Sequence, residues 1–438
     1  MAQLQTDIAV IGAGPQALTL VTHVLQKKAK LRDRIQVLDP SGSWMTQWQQ
    51  QFAAQEIAEL RSPAVHHPDP NAHALRAFAE GRYHELHPPY DRPGTCLFQE
   101  FCDTVVQRWQ LQNHVVTAAV TRLEPWSKQP SQFRLTLSTG DTVLARRVVL
   151  ATGGGQPYLP DWAKQISATH PPERLCHASQ VRLSTLSSLA GETVLIVGSG
   201  LTSGHLAVGA VKRGANVVMM ARRTFQEKLF DAEPGWLGPK YLKGFHAEPD
   251  MQTRWQLVQQ ARNGGSLTPA MMTRLRQLQR QGHITFYEHC QVADAHWQGD
   301  TWKVCCDNHM AHNRIAHHPI HRVWLATGTT LDIRSHSLLA DVWKQYPIET
   351  INGLPVLDEH LRWPGCELFL MGPWTALRVG PVARNLFGGK LACDRIVPAL
   401  TKATLSFSGN ASRNQSAMPF EGIHRSTSLA KAGRQDSI

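Results

Sequence analysis

The sequence lacks the cysteine spacing of zinc-binding and redox motifs, and only Cys305 and Cys306 adjoin. The 438 residues include eight cysteines, and none of them stands in a Cys-x-x-Cys pair. The absence argues against a zinc ribbon and against a redox-active dithiol turn. Scattered single cysteines are typical of chains in a reducing compartment, so we expect a cytoplasmic protein.

Long hydrophobic runs are missing as well. No stretch approaches the roughly 18 consecutive apolar residues that read as a membrane span. A predicted strand begins by Asp7, which leaves no room for a signal peptide before it. We therefore predict no membrane association.

The sequence has an excess of positive charge, but its basic residues are not clustered. Lysine and arginine number 45 against 34 aspartate and glutamate residues, giving a formal net charge of +11. No run of five or six basic residues marks a nucleic-acid surface, and an anionic cofactor suits a basic chain equally well, so we predict no nucleic-acid partner.

A histidine cluster lacks cysteine or carboxylate at regular ligand spacing, so we predict no metal site there; its members are His309, His312, His317, His318 and His321.

Two glycine turns organise the rest of the chain. The first follows a predicted strand at Asp7–Ile11 and precedes a helix to about Lys28 and a strand at Ile35–Asp39. Gly12 permits the tight bend, and Gly14 lets the backbone approach a pyrophosphate on the helix N-terminus. Asp39 is placed to accept hydrogen bonds from an unphosphorylated ribose, as in FAD. A purely structural glycine turn is the alternative.

The second turn repeats this plan with a different strand end. Gly198 and Gly200 follow the strand Thr193–Val197, and Ser203 is the small third residue. The next strand ends without a carboxylate, in Arg222 and Arg223. Either arginine could pair with a 2′-phosphate, which predicts NADPH in preference to NADH. The alternative is that both arginines only cover a solvated strand end.

The duplication extends beyond the glycine turns. Each unit continues through a meander to an Ala-Thr-Gly segment, at 151–153 and 326–328. This order predicts an α/β fold with two Rossmann-like dinucleotide-binding domains, the second inserted in the first. The predicted segments are an FAD-binding part at 1–188, an NADPH-binding domain at 189–322, a second FAD-binding part at 323–400 and a disordered tail at 401–438.

The sequence resembles the two-dinucleotide-domain flavoproteins, and among them the ornithine/lysine N-hydroxylating branch of the flavin-dependent monooxygenases. This resemblance rests on the motifs Gly12-Ala-Gly-Pro-Gln-Ala17, Gly198-Ser-Gly-Leu-Thr-Ser203, Asp39-Pro-Ser-Gly-Ser-Trp44, Leu60-Arg-Ser-Pro63 and both Ala-Thr-Gly segments. The Baeyer–Villiger fingerprint is absent, and Gly372-Pro373 replaces the Gly-Asp turn of disulfide reductases. No residue could be matched to those that hold an ornithine or lysine side chain.

The resemblance implies FAD and NADPH as cofactors, and O2 and a small molecule as substrates. NADPH would reduce FAD, and a flavin C4a-hydroperoxide would pass one oxygen atom to a nucleophile, with an amine as the leading candidate. The implied FAD contacts are Gly12, Gly14, Pro15, Gln16, Asp39, Trp44, Thr152, Gly153, Gly372, Gly380 and Pro381. The implied NADPH contacts are Gly198, Gly200, Leu201, Thr202, Ser203, Arg222 and Arg223, and Gly328 of the second Ala-Thr-Gly segment is a further implied cofactor contact.

The C-terminal helix and one loop supply the remaining candidates. A helix predicted to run from about Pro381 to Val397 would direct its N-terminus at the flavin, and its dipole would stabilise the anionic reduced ring. Arg378 is expected either to face the substrate or to form an ion pair. Trp236, Lys240 and Tyr241 are expected either to line a pocket between domains or to pack against a sheet.

Two other functions remain open at this point. The first is an NAD(P)H-dependent FAD oxidoreductase or oxidase without hydroxylation, and the second is a non-catalytic FAD/NADPH-binding sensor. The sequence also leaves open whether the chain forms a homo-oligomer.

Overall fold

A computed structural model describes residues 3–128, 131–166, 170–262, 264–308 and 315–402. The predicted tail lies outside the described residues from position 403 onward, as do His309 and His312. Among the described residues, no helix is both long and apolar enough to cross a membrane.

Strands and helices alternate along most of the chain. The strands are β1 (Gln3–Ile11), β2 (Ile35–Asp39), β3 (Leu86–His87), β4 (Arg92–Pro93), β5 (Val115–Thr117), β6 (Val120–Lys128), β7 (Ser131–Leu137), β8 (Thr142–Leu150), β9 (Gln156–Pro157), β10 (Leu175–His177), β11 (Thr193–Val197), β12 (Asn216–Met220), β13 (Ile284–Tyr287), β14 (Val292–Trp297), β15 (Trp302–Cys306), β16 (Ile320–Leu325), β17 (Thr329–Thr330), β18 (Thr350–Ile351), β19 (Leu354–Pro355) and β20 (Leu368–Leu370). The α-helices are α1 (Pro15–Lys27), α2 (Thr46–Ala54), α3 (Ala74–Phe78), α4 (Thr95–Arg108), α5 (Asp161–Gln165), α6 (Leu201–Lys212), α7 (Pro239–Ala247), α8 (Met251–Arg262), α9 (Pro269–Arg280), α10 (Ala340–Gln345), α11 (Ala376–Val379) and α12 (Leu386–Thr401).

The two large sheets have the same construction. In the first sheet the strand order is β5-β2-β1-β8-β7-β6, with β20 also paired to β8. In the second it is β13-β12-β11-β16-β15-β14, with β10 paired to β16. In each sheet the central strands are parallel and a meander adds antiparallel strands at one end. This duplication confirms the predicted fold class.

Local signals in the sequence set several element bounds. The observed limits of β2 and β11 coincide with the predicted ones. Helix α9 begins after Thr268, whose side chain accepts a hydrogen bond from the Met271 N–H, with proline at the first helical position. The β7–β8 hairpin turns at residues 138–141, as the Thr-Gly-Asp sequence predicts.

The predicted segment boundaries differ from the observed packing in two places. The boundary between residues 322 and 323 falls inside β16, which pairs along its length within the second sheet. Residues of the predicted NADPH segment, among them Trp236, Phe245 and Val258, belong to the apolar core of the first sheet. Local periodicity identifies an amphipathic helix but not the sheet on which it packs, so the sequence alone does not indicate that α7 and α8 contact the first sheet.

The last helix begins five residues later than predicted. Gly380 adopts φ +93°, in the left-handed region, and this ends the short helix α11. Residues 381–385 then form turns, and α12 begins at Leu386. The segment after Gly380 therefore presents turn residues toward the neighbouring elements before the helix starts.

Candidate functional site

A cavity of about 1110 Å³ opens over the first glycine turn. Its walls come from the turn itself, the loop around residues 60–66, the segment 152–155, and the turn that precedes α12. Seven predicted FAD contacts lie on these walls: Gly12, Gly14, Pro15, Gln16, Asp39, Thr152 and Gly153. Volumes of this order are typical of sites for sizeable ligands.

The first glycine turn has the shape that a bound pyrophosphate requires. Gly12 has φ +102°, and a Cβ there would lie 2.8 Å from the carbonyl oxygen of Ala151. Gly14 precedes α1, and a Cβ there would have no protein atom within 4 Å. The approach to the α1 N-terminus is thus open on the cavity side, where unpaired N–H groups favour an anion.

Asp39 closes the end of β2 beside this turn. Its Oδ2 atom accepts a hydrogen bond from the Ala13 N–H at 3.0 Å, and its Oδ1 atom accepts two from Ser41. Each carboxylate oxygen can accept more than one hydrogen bond, so the group retains capacity toward a ribose hydroxyl. Turn, helix and carboxylate together fit FAD.

The turn before α12 forms the opposite wall. Gln16 of α1 donates from Nε2 to the Asn385 carbonyl oxygen at 3.0 Å. The Oε1 atom of Gln16 is buried and has no hydrogen-bond partner among the described residues. Trp374 donates from Nε1 to the Gly153 carbonyl oxygen at 3.0 Å, which fixes the end of β8 to the C-terminal segment.

Arg61 joins the two glycine-turn units across the cavity rim. Its Nε atom donates to the Leu229 carbonyl oxygen at 2.7 Å. Its two terminal nitrogens donate to the Lys228 carbonyl oxygen, to both the carbonyl and the hydroxyl oxygen of Ser266, and to Asp231. A guanidinium has five N–H donors, so these partners occupy all of them.

His66 is a second residue of this loop that faces the cavity. Its side chain is almost completely buried, with 8% exposed, and its ring lies 4.9 Å from that of Phe387 at the start of α12. Burial, with smaller contributions from His67 and Lys390, lowers the pKa of His66 to about 4. The imidazole is therefore neutral near pH 7 and can donate one hydrogen bond and accept another.

The second glycine turn is more enclosed than the first. Gly198 has φ +141°, and a Cβ there would meet the Ala326 carbonyl oxygen at 2.2 Å. Gly200 precedes α6, and the Cα of Gly265 lies 3.6 Å from its Cβ position, where Gly14 has open space. A dinucleotide on this turn would thus have the backbone at Gly265 as a close neighbour.

The other predicted NADPH contacts are arranged around this turn. Leu201, Thr202 and Ser203 form the first turn of α6, and the Ser203 hydroxyl donates to the Gly200 carbonyl oxygen at 2.6 Å. Arg222 is exposed after β12, and the guanidinium of Arg223 lies against Gly264. Gly328, predicted as a cofactor contact in the second Ala-Thr-Gly segment, has φ +81°, and its carbonyl oxygen accepts a hydrogen bond from the Tyr158 N–H at 2.9 Å.

Several predicted residues lie away from the cavity walls. Trp44 is buried and donates from Nε1 to the Leu111 carbonyl oxygen at 2.9 Å. Arg378 donates to the Leu357 carbonyl oxygen at 2.7 Å, an alternative to both the substrate contact and the ion pair that we expected. Gly372, Gly380 and Pro381 are buried beside the cavity, and Val382, Arg384 and Asn385 line it in their place.

The aromatic loop follows the packing alternative. Trp236 is buried in the core of the first sheet and lies beside Tyr241. The Tyr241 hydroxyl donates to Glu233 at 2.9 Å, and the Lys240 ammonium stands 5.2 Å from the Tyr241 ring. Asp231, Ala232 and Leu237 of the same segment line the cavity instead.

Sequence reasoning missed the roles of Arg61, His66, Asp231 and Arg384. The Leu60-Arg-Ser-Pro63 motif was recognised, but nothing local indicates that Arg61 reaches across to the second unit. Within the described parts of the chain, no group of three or more histidine, cysteine or acidic residues could hold a metal ion.

Comparisons with known proteins place this chain among flavin enzymes. Residues 97–330 match the model of the L-lysine 6-monooxygenase/L-ornithine 5-monooxygenase family, and residues 9–155 match an FAD-NAD(P)-binding family model. An FAD-dependent urate hydroxylase of Xanthomonas campestris is 34% identical over 108 residues, which are 24% of this chain. The chain spans only 22% of that relative's length.

Solved structures share the fold over nearly the whole length. The ornithine hydroxylase of Pseudomonas aeruginosa is 16% identical with a TM-score of 0.71, covering 91% of this chain and 99% of its own. The ornithine N-hydroxylase of Kutzneria sp. 744 is 15% identical with a TM-score of 0.73, covering 90% and 99%. The L-lysine 6-monooxygenase of Pseudomonas syringae is 18% identical with a TM-score of 0.69, with the same coverage.

Proposed function

The chain belongs to the L-lysine 6-monooxygenase/L-ornithine 5-monooxygenase family, and on that premise we propose that it transfers one oxygen atom from O2 to the amine nitrogen of a small molecule, using FAD and NADPH. Family membership makes the chain an oxidoreductase of the flavin-dependent N-hydroxylating monooxygenases. The amine substrate, the preference for NADPH and the course of the reaction are the parts that we propose.

The cavity over the first glycine turn carries this proposal. It opens on the N-terminus of α1 at Gly14 and is closed on the other side by the residues that begin α12. Two helix N-termini facing one cavity favour a ligand with more than one region of negative charge. FAD has that character, in its pyrophosphate and in the reduced ring.

The protein would hold the cofactor in place and keep water away from it. FAD, when bound, would supply the redox and oxygen-transfer chemistry. Gly14 and Asp39 would hold the dinucleotide, and the buried, uncharged His66 ring packs beside the partly buried Phe387 ring on one wall of the cavity. Such a wall excludes water, which would otherwise compete for the activated oxygen.

Two different strand ends support two different dinucleotides. The first unit presents a carboxylate after β2, and the second presents Arg222 and Arg223 after β12. A carboxylate would repel a 2′-phosphate, whereas a guanidinium can hold it bidentately. We therefore propose FAD on Gly12, Gly14 and Asp39, and NADPH on the second turn.

The packing also suggests revised domain limits as part of this proposal. The FAD-binding unit would consist of β1–β8, α7 and α8, and the segment from β18 to α12. The NADPH-binding unit would contain β10–β16 with α6 and α9. The two units are thus interleaved along the chain, because α7 and α8 lie between β12 and β13 in sequence.

An aerobic oxidation assay tests the proposed function. The FAD-loaded protein is mixed with NADPH and a panel of amines and amino acids, and products are examined for an added oxygen by mass spectrometry. We expect at least one amine to gain a single oxygen atom in step with NADPH consumption. NADPH oxidation with hydrogen peroxide as sole product across the panel would favour a reductase or oxidase, and no oxidation of NADPH would favour a sensor.

A further inference from the structure

Within the part of the chain that the structure describes, one cation on the cavity wall, Arg384, has no acidic partner. Arg384 lines the cavity, its side chain is accessible to solvent through it, and it forms no ion pair within 4 Å among the described residues. Its hydrogen bond is a long one, from Nη2 to the Thr329 hydroxyl at 3.4 Å. Protein surrounds the side chain on its other sides, and this loss of hydration, with Arg262 nearby, lowers the pKa of Arg384 to about 10.

The neighbouring carboxylate is already in use. Asp231 accepts from Arg61 at 2.5 Å through Oδ1 and from Arg262 at 3.4 Å through Oδ2. Arg262 also donates to the Pro381 carbonyl oxygen at 3.0 Å. Arg61 and Arg262 thus share one carboxylate, and together with Arg384 the group of four side chains has a net positive charge of two.

The other cavity arginine has no donor to spare. All five N–H groups of Arg61 have partners in the 228–231 segment and at Ser266. To bind a ligand, Arg61 would first have to release one of them. Arg384 can engage a ligand at almost no such cost, because its one contact is long and exposed.

We propose that Arg384 holds a carboxylate of the substrate, and that it makes the enzyme select amines that also carry an acid over simple diamines. This inference rests on the proposed function, since it concerns the same cavity. A carboxylate matches the planar fork of a guanidinium and reduces the local charge excess. A second ammonium group would add to the excess and is repelled.

The negative groups of FAD are the other source of the same chemistry. The first glycine turn already offers the pyrophosphate an open helix N-terminus at Gly14, so it needs no arginine there. We therefore assign Arg384 to the substrate, and the experiment separates the two sources.

Three compounds form a matched set for the test. 6-Aminohexanoate is L-lysine without its α-amino group, and cadaverine is L-lysine without its carboxylate. FAD-loaded protein is treated with phenylglyoxal in the presence of each compound, and mass spectrometry follows the modification of Arg384 relative to Arg76, an exposed arginine. We expect L-lysine and 6-aminohexanoate to slow modification of Arg384 by about fivefold or more, and cadaverine to leave it unchanged.

The result does not depend on turnover. Equal modification with all three compounds would overturn the proposal. So would protection by FAD alone, with Arg384 modified in the FAD-free protein only, because the anion would then belong to the cofactor. If Arg384 behaves as expected while no amine gains oxygen, the inference stands and the proposed oxygen transfer fails.

Substitutions at Arg384 give an independent reading. In FAD-loaded Arg384→Gln, the affinity for each compound is measured from the change in flavin absorbance as that compound is titrated in. We expect the dissociation constants of the two acids to rise about tenfold or more and that of cadaverine to change little. In Arg384→Lys the affinity for the acids should partly recover. In Arg384→Glu the order should invert, so that cadaverine binds better than 6-aminohexanoate. Unchanged FAD content and thermal midpoint confirm that the variants fold, and an unchanged order of affinities in Arg384→Glu contradicts the proposal.

Discussion

The guanidinium of Arg61 and the carboxylate of Asp231 meet at 2.5 Å, and this pair connects the loop after α2 to the segment after β12. With only 14% of the Arg61 side chain exposed, water screens the pair weakly on that side. The pair and the four other contacts of Arg61 are the polar link between the loop that lines the cavity and the strand end that bears Arg222 and Arg223.

Replacing Arg61 by alanine should destabilise the protein. The change removes the donor from three partly buried carbonyl oxygens, those of Lys228, Leu229 and Ser266, and removes one partner of Asp231, which we expect to cost about 3 kcal/mol. Urea unfolding of the full chain measures the shift in midpoint. Arg76→Ala is the matched control, because Arg76 and Asp91 form an exposed pair with 45% and 47% of their side chains accessible, worth about 0.5 kcal/mol or less. Equal shifts for both variants would contradict the connecting role of Arg61.

Replacing Gly14 by alanine should weaken FAD binding without weakening the fold. A methyl group there meets no protein atom within 4 Å but enters the path by which a pyrophosphate approaches α1. We expect the FAD dissociation constant, measured by quenching of flavin fluorescence, to rise about tenfold or more. Gly244→Ala is the control, because its added methyl group also has open space, in α7. If Gly14→Ala binds FAD as tightly as Gly244→Ala does, the pyrophosphate does not bind at this turn.

Replacing Arg222 and Arg223 together by alanine should reduce the preference for NADPH. Loss of hydrogen bonds from charged groups to the 2′-phosphate predicts a rise in the KM for NADPH of about tenfold to a hundredfold, with the KM for NADH nearly unchanged. The double variant Arg182→Ala with Arg280→Ala removes the same charge from exposed positions and should alter neither value. If the ratio of the KM for NADPH to the KM for NADH is unchanged in the Arg222 and Arg223 variant, these arginines only cover the strand end.

Replacing His66 by glutamine should make the protein less sensitive to acid. The folded-state pKa of His66 is about 4, and the unfolded value is about 6.5, so between these limits the unfolded chain binds a proton that the folded chain does not. Stability therefore falls as the pH drops from about 6.5 to 4, by about 2 kcal/mol at pH 5 from this residue alone.

Thermal unfolding at pH 7 and pH 5 measures the effect. The difference between the two midpoints should be smaller in His66→Gln than in the unaltered protein. His84→Gln serves as the comparison, since the His84 side chain is 79% exposed. Should the two variants lose stability equally on acidification, His66 is not neutral in the folded protein.

The strands around both glycine turns could be predicted from the sequence because their signals are local. An apolar run, a glycine pair and a small-residue helix specify β11 and α6 without knowledge of the rest of the chain. The strand-end difference between Asp39 and Arg222 is equally local. Those features were enough to identify the fold and to distinguish the two turns.

The features that the sequence left open or did not indicate depend on distant partners. The helical pattern after Gly380 is continuous in composition, yet α12 begins only at Leu386, after a turn whose Asn385 carbonyl oxygen bonds to Gln16. Trp236 has the amphipathic character of a pocket residue and of a core residue, and only the tertiary fold assigns it to the core. Arg384 stands in that same turn, so its place on the cavity wall could not be inferred without it.

The hydrogen bond between Gln16 and Asn385 spans nearly the entire length of the chain. β8 is likewise completed by β20, which lies close to the other end of the sequence. During synthesis, the glycine turn leaves the ribosome long before the residues that close the cavity above it. The first half of the chain can form its parallel strands early, but a complete cofactor site exists only after nearly all of the protein has emerged, so cofactor capture is a late event in biosynthesis.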